Sequence, residues 1–150
     1  MSVTVSIDVP QPREDVYEFL DVLANHRQFT DHMLHDWSLS GPPKGVGAKA
    51  GVTTKLGAIT DRAEIEVIEA EAGRMIRERN IGGKGRRIAT GTFELRDLPG
   101  GGTHIEFTFA FERVPAFERP FTPLMLAMVR RGNARALARL AEQLRVSSAV

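Results

Sequence analysis

The last helix that the sequence predicts carries an amide and a guanidinium among its core-facing residues. In VRRGNARALARLAEQL, Val129, Leu137 and Leu144 fall on one stripe when each residue is turned by about 100°. Asn133 lies inside that stripe, and Arg130 lies near its edge, from which its side chain could instead extend to solvent and meet an acidic side chain. Burying an amide without a partner costs roughly 1–3 kcal/mol, and burying an unpaired guanidinium costs far more. We therefore expect this half of the helix to face a cavity that holds water or a polar ligand group.

A carboxyl group in a predicted strand suggests acid–base chemistry. Asp61 lies in the apolar register of AITDRAEIEV, between Ile59 and Ala63. A carboxyl buried on that face would have a raised pKa, which suits a general acid or base. The alternatives are a strand end near solvent and an ion pair with an arginine.

The segment RMIRERN places polar groups on both faces of a predicted strand. One face carries Arg77 and Arg79, and the other carries Glu78 and Asn80. Either register brings polar groups toward the interior, unless the strand is short and exposed. The sequence leaves the inward face of residues 74–81 open.

Histidines and aspartates cluster in HRQFTDHMLHD, which raises the question of a metal site. The spacing is common by chance and no HExxH motif accompanies it, so we expect histidines on the surface near a pocket entrance and no metal. The cluster consists of His26, His32, His35, Asp31 and Asp36.

The glycine-rich segments GGKG and GGG do not have the order of a phosphate-binding loop and are typical of hairpin turns.

The elements that must position these groups follow from hydrophobic periodicity. A strand in SVTVSIDVP precedes a helix from about Arg13 to Ala24 and a shorter one around Arg27 to Met33. About five or six strands follow, each with one apolar and one polar face, as antiparallel strands covering a core on one side show. A long helix from about Thr122 to Val146 ends the chain. This order predicts an α+β fold in which a curved antiparallel sheet closes around the last helix.

Length, composition and charge limit the class of protein. The 150 residues suit a single domain over 1–150, and the 42% hydrophobic and 26% charged content is ordinary for a globular protein. There is no cysteine, and the formal net charge of +1 gives no long-range attraction to nucleic acid. No signal peptide or apolar run of about 18 residues is visible, so we expect a cytoplasmic protein without membrane insertion. We expect it to be a monomer or a homodimer.

The order of elements resembles the SRPBCC superfamily, which includes the polyketide cyclase/dehydrase and START-like lipid-transfer proteins. The segments that carry the resemblance are SVTVSIDVPQPREDVYEFLDVLANHRQF, GVGAKAGVTTKLG, ITDRAEIEVIEAEAGRMIRER and GTFELRDLPGGGTHIEF. Membership implies a helix-grip fold with two short helices after the first strand and a deep, mostly apolar cavity between the sheet and the last helix. One departure is Phe29 at a position where many members have Trp, since the only Trp here is Trp37.

The resemblance implies a cofactor-independent ligand carrier or enzyme. The first hypothesis is a cavity that binds a lipid, polyketide or aromatic metabolite. The second is a polyketide aromatase/cyclase or dehydratase, in which Asp61 acts with Arg77, Arg79 or Arg130 on a substrate carbonyl. A third is a regulatory or toxin–antitoxin-type interaction protein, which no residue here supports. The expected ligand contacts are walls, an entrance and two polar side chains: Val52, Ile65, Phe93, Phe107, Phe109, Leu126 and Val129; Phe29, Met33 and Trp37; Arg130 and Asn133.

Overall fold

The structure is a computed structural model that describes residues 1–148, apart from the side chain of Leu56. The final two residues of the range expected for the domain lie outside the described residues. Two short helices separate the first strand from the other six strands, and a long helix ends the chain. In chain order the elements are β1 Ser2–Val9, α1 Arg13–Asp21, a 3₁₀ turn Leu23–His26, α2 Arg27–Thr30, β2 Leu34–Ser40, β3 Lys49–Leu56, β4 Ile59–Glu71, β5 Met75–Gly82, a 3₁₀ turn Gly83–Gly85, β6 Arg87–Asp97, β7 Thr103–Arg113, a 3₁₀ turn Ala116–Phe121 and α3 Thr122–Ser148.

The strands form one seven-stranded sheet in the order β1-β7-β6-β5-β4-β3-β2. Every neighbouring pair is antiparallel. A bulge in β4 between Val67 and Glu69 interrupts the pairing with β5, and such bulges bend the bulged strand. The curved sheet and the long α3 confirm the predicted α+β class and the helix-grip fold.

The predicted alternation of apolar and polar residues sets which face of each strand is covered. In β6, Ala89, Phe93 and Leu95 are buried. In β7, Ile105 and Phe107 are buried on the same side, directly opposite Leu95 and Phe93 of β6. Because side chains alternate with period two, the residues between them point to the other face.

The long helix α3 divides into two halves that face different surroundings. Leu137, Leu140 and Leu144 belong to the main hydrophobic core. About two to three turns before Leu137, the buried residues Val129 and Met125 line an open space and do not belong to that core. Burying a leucine side chain contributes about 1.5–3 kcal/mol, so the C-terminal half fastens the helix to the sheet.

The region between the first helix and the sheet differs from the sequence prediction. The first helix ends at Asp21, and the second spans only Arg27–Thr30. The sequence does not predict the strand Leu34–Ser40. In the structure this strand is irregular: its pairing with β3 shifts between His35 and Ser38, and Asp36 adopts a φ of 52°.

Within residues 1–148, no helix is both long and apolar enough to cross a membrane.

Candidate functional site

A cavity of about 170 Å³ lies between the sheet and the N-terminal half of α3. Its walls are mainly aromatic: Phe93 and Phe107 pack with ring centroids 4.4 Å apart, and Phe109 and Phe111 pack edge to face at 5.1 Å. The space is similar to an apolar cavity of about 150 Å³ that binds benzene in another protein. The enclosed part therefore has the size of a single substituted ring.

Most of the expected ligand contacts line this cavity. Leu126 is buried but does not line it, and Arg130 is exposed. Whether the lining residues contact a ligand stays a prediction. The expected residues that line the cavity are Phe29, Met33, Trp37, Val52, Ile65, Phe93, Phe107, Phe109, Val129 and Asn133.

Polar atoms without partners gather at the cavity. Asn133, which is 9% exposed, has its Nδ2 buried with no hydrogen-bond partner among the described residues. The same holds, within residues 1–148, for Nε1 of Trp37, Oε2 of Glu78 and Oδ1 of Asn80. All of these residues line the cavity. A buried polar atom without a partner costs about 1–3 kcal/mol, so forming a hydrogen bond with any of these donors or acceptors would be favourable.

The strand β5 supplies the only carboxyl group among the described lining residues. Glu78 is 6% exposed and lies opposite Gly91 of β6. A Cβ on Gly91 would lie 2.7 Å from Cζ of Phe107 and 3.5 Å from Oε1 of Glu78, so glycine leaves the space that both side chains occupy. Burial disfavours the charged form and raises the pKa of Glu78 from 4.5 to about 7.

A neutral histidine adjoins the aromatic wall. The carbonyl of Leu20 can only accept a hydrogen bond, so Nε2 of His26 carries a proton and donates it at 2.7 Å. Burial lowers the pKa of His26 from 6.5 to about 4, although the bond to Leu20 opposes this shift. His26 packs against Phe29 and Phe93. The expectation that His26 lies on the surface is therefore wrong.

An arginine that the sequence analysis did not single out lies at the edge of the cavity. Arg87 lines the cavity and donates from Nη1 to Oδ2 of Asp61 at 2.9 Å and from Nε to Oε1 of Glu118 at 3.0 Å. The N–H of Gly83 also donates to Asp61, at 2.7 Å. We call Arg87, Asp61 and Glu118 the arginine clamp.

The arginine clamp corrects the expectation for Asp61. Burial alone raises the pKa of this carboxyl, but hydrogen bonds from Gly83 and Arg87 and the positive charge of Arg87 outweigh it. The pKa of Asp61 is therefore lower than usual. The prediction of an acid with a raised pKa at this position is wrong. The alternative of an arginine partner is correct.

The other candidate catalytic residues lie outside the cavity. Arg77 pairs with Glu69 and with Thr92, and Arg79 is exposed. Both are on the outer face of β5, because Glu78 takes the inner face. Arg130 is also exposed, since a long side chain at the edge of the stripe can extend to water. The expected ligand contact at Arg130 is therefore wrong, and the inward face of residues 74–81, which the sequence leaves open, is that of Glu78 and Asn80.

The histidine–aspartate cluster does not converge. Nε2 of His32 lies 2.9 Å from the carbonyl of Gly132, and Asp31 pairs with Arg139 of α3. Among the described residues, no group of three or more His, Cys, Asp or Glu side chains is arranged to hold a metal ion.

The inner face of β5 could have been inferred from its neighbour. In the antiparallel pair, Glu78 lies opposite Gly91 and Asn80 lies opposite Ala89. Directly opposite residues share a face, and Ala89 belongs to the apolar face of β6. Counting back through the NIGGKG turn therefore selects Glu78 and Asn80. Arg87 gives no comparable local signal.

Solved structures share this architecture at low sequence identity, which shows the fold alone. The Zhui aromatase/cyclase from Streptomyces sp. R1128 has a TM-score of 0.79 and 14% identity, covering 97% of this chain and 93% of that chain. The protein TTHA0849 from Thermus thermophilus has a TM-score of 0.76 and 18% identity, covering 99% of each chain. A START superfamily protein from Mycobacterium smegmatis has a TM-score of 0.74 and 12% identity, covering 95% of this chain and 98% of that chain.

The sequence itself gives the family. No curated protein matches the sequence of this chain. The family model described as polyketide cyclase / dehydrase and lipid transport, in contrast, matches residues 1–145. This match and the shared fold confirm the resemblance to the SRPBCC superfamily. The chain therefore belongs to the polyketide cyclase / dehydrase and lipid transport family.

Proposed function

We propose that the protein binds a mainly hydrophobic small molecule in the cavity between the sheet and α3. One observation carries this proposal: unpartnered polar atoms of Trp37, Glu78, Asn80 and Asn133 meet in a space whose other walls are mostly apolar. Small-molecule sites typically combine apolar walls with a few convergent polar groups.

The balance of polar and apolar surface supports a ligand rather than water alone. Water would satisfy the polar atoms but would leave the faces of Phe93, Phe107 and Phe109 wet. A ring buried against these faces contributes about 25 cal/mol per Å² of apolar surface removed from water. A ligand with an apolar body and a polar group satisfies both parts of the wall.

The experiment compares two phenylalanine substitutions on one helix. Ala136 is buried and lines the cavity, whereas Ala138 is exposed on the same helix. We expect A136F to weaken the binding of uncharged ring compounds such as ethylbenzene and indole by at least about tenfold, because the new ring occupies their space. A138F should bind like the unmodified protein. Calorimetric titration measures both affinities, and equal affinities in all three proteins would contradict the proposal.

A second candidate function, cyclisation or dehydration of a polyketide, is favoured by Glu78. Its carboxyl is inside the cavity and its pKa of about 7 lies near neutrality, where a general acid–base works best. As a base, Glu78 would remove a proton from the carbon beside a substrate carbonyl. The N–H groups of Trp37 and Asn133 would donate to the enolate oxygen that forms.

This second function has its own test. The unmodified protein should change the products that form from a poly-β-ketone, and E78Q should lose this effect while keeping the affinity for ethylbenzene. Chromatography of the products measures the first and calorimetry the second. An unchanged product profile with the unmodified protein would remove this function for that substrate.

A further inference from the structure

The charge of the cavity wall limits the ligand more narrowly than its apolar character does. Among the described residues that line the cavity, Arg87 is the only one with a permanent positive charge. Its guanidinium already contacts both Asp61 and Glu118. The side chains of Arg87, Asp61 and Glu118 are only 19%, 22% and 14% exposed, so solvent screens these contacts little.

A ligand carboxylate would find no free cation at this wall. The charge of Arg87 is already balanced by Asp61 and Glu118, so a third carboxylate beside it would be repelled by both or would have to displace one of them, leaving that largely buried carboxylate without its cation. The ring of His26 is neutral and donates its one N–H to Leu20. The carboxyl of Glu78 adds acceptor oxygens or, when ionised, a further negative charge. The charged groups at the cavity therefore disfavour an anionic ligand, because the guanidinium of Arg87 is already paired and the carboxyl of Glu78 is negative when ionised.

The unpartnered atoms specify the groups that an uncharged ligand must carry. Nε1 of Trp37 and Nδ2 of Asn133 are hydrogen-bond donors, and they require an acceptor such as a carbonyl oxygen. Oδ1 of Asn80 is an acceptor and Oε2 of Glu78 accepts when ionised, so they are matched by a hydroxyl group. Both kinds of atom line one cavity of about 170 Å³.

We infer that the cavity selects an uncharged ring compound bearing both a carbonyl and a hydroxyl group, and that it rejects the corresponding carboxylate. This inference rests on the proposed function, since it names the class of ligand for the same cavity. The determinants are Trp37, Asn80 and Asn133 for the polar match, and the arginine clamp for the exclusion of anions.

Three probes of one ring each separate the determinants. 4-Hydroxyacetophenone has the carbonyl and the hydroxyl, 4-hydroxybenzoate replaces the ketone with a carboxylate, and ethylbenzene has neither group. We expect the ketone to bind at least about tenfold more tightly than either other probe, since one satisfied buried hydrogen bond is worth about that factor. Calorimetry gives the affinities. The single tryptophan gives one indole N–H signal in NMR spectra, which should shift with the ketone.

Two substitutions, together with a control, test the determinants separately. N133L replaces the amide with an apolar side chain of the same branched shape, and it should reduce the affinity for the ketone about tenfold while that for ethylbenzene falls much less. E118Q removes one of the two negative partners of Arg87 and should raise the affinity for 4-hydroxybenzoate several-fold. Glu112 is exposed on β7, so E112Q serves as a control for the general loss of a carboxylate and should leave every affinity unchanged.

The outcomes distinguish the inference from the function on which it rests. Binding of 4-hydroxybenzoate as tightly as the ketone, or of ethylbenzene as tightly as the ketone, would overturn the inference and leave the proposed function in place. Failure of every probe, ethylbenzene included, to bind the unmodified protein would overturn both. The comparison of probes on the unmodified protein needs no variant to fold.

Discussion

At the scale of single residues, two buried titratable groups act on stability in opposite directions. The pKa of Glu78 is raised by burial to about 7, and that of His26 is lowered by burial to about 4. The folded state loses stability through Glu78 as the pH rises from 4.5 to 7, and through His26 as the pH falls from 6.5 to 4. Between pH 4.5 and 6.5 the two effects offset each other.

Replacing Glu78 with glutamine separates its effect on stability from that of His26. The variant E78Q keeps the volume but cannot ionise, so its free energy of unfolding should match that of the unmodified protein below pH 4.5 and exceed it by about 3 kcal/mol above pH 7. Chemical denaturation across pH 4–8 measures this difference. E94Q, at an exposed position of β6, should show no such trend. A pH-independent difference between E78Q and the unmodified protein would contradict the burial of this carboxyl.

Gly91 is a second residue whose effect can be measured. A Cβ at this position would lie 2.7 Å from Cζ of Phe107, so G91A must displace that ring, which lines the cavity. We expect G91A to lower the free energy of unfolding by roughly 1–3 kcal/mol and to weaken ligand binding. The double variant G91A/F107L should recover much of the stability, because the shorter side chain leaves room. No recovery in thermal denaturation would show that the contact with Phe107 is not the cause.

At the scale of elements, the arginine clamp ties the 3₁₀ turn Ala116–Phe121 to the sheet. Asp61 lies on β4, Arg87 begins β6 and Glu118 lies in the turn that leads into α3. The contacts therefore hold together three segments that are distant in sequence. This arrangement fixes the start of α3 at the edge of the cavity.

Removing the charge of Arg87 should therefore destabilise the protein more than removing a surface charge. R87M leaves two largely buried carboxylates without their positive partner, which should lower the free energy of unfolding by roughly 1–3 kcal/mol. Arg145 pairs with Glu142 within α3, where both side chains are more than half exposed, and R145M should have no measurable effect on stability. Thermal denaturation compares the two variants, and equal effects would contradict the role given to the clamp.

The sequence predicts the elements better than it predicts the site, and particular residues show why. The position of Asn133 follows from helical periodicity, which is local. Arg130 lies near the same stripe, but its long side chain can turn to water, which periodicity does not reveal. Asp61 has the predicted register, yet its partner Arg87 is brought close only by the fold. The irregular strand Leu34–Ser40 lacks the alternation on which strand prediction depends.

At the scale of the whole molecule, the fold leaves a space unfilled beside one half of α3 while it packs the other half against the sheet. The C-terminal half of α3 packs into the hydrophobic core through Leu137, Leu140 and Leu144. The N-terminal half faces a cavity at which polar atoms have no partners among residues 1–148. Leaving such atoms unpartnered lowers stability, so a ligand that satisfies them stabilises the folded state in proportion to its affinity.

Native mass spectrometry of the protein purified from its own host tests most directly whether this cavity holds a small molecule. The account predicts a bound mass of a few hundred daltons at most, comparable with one substituted ring, on the unmodified protein and on A138F. The same preparation of A136F should carry none. A bare unmodified protein, or a bound mass that A136F retains in full, would contradict the account.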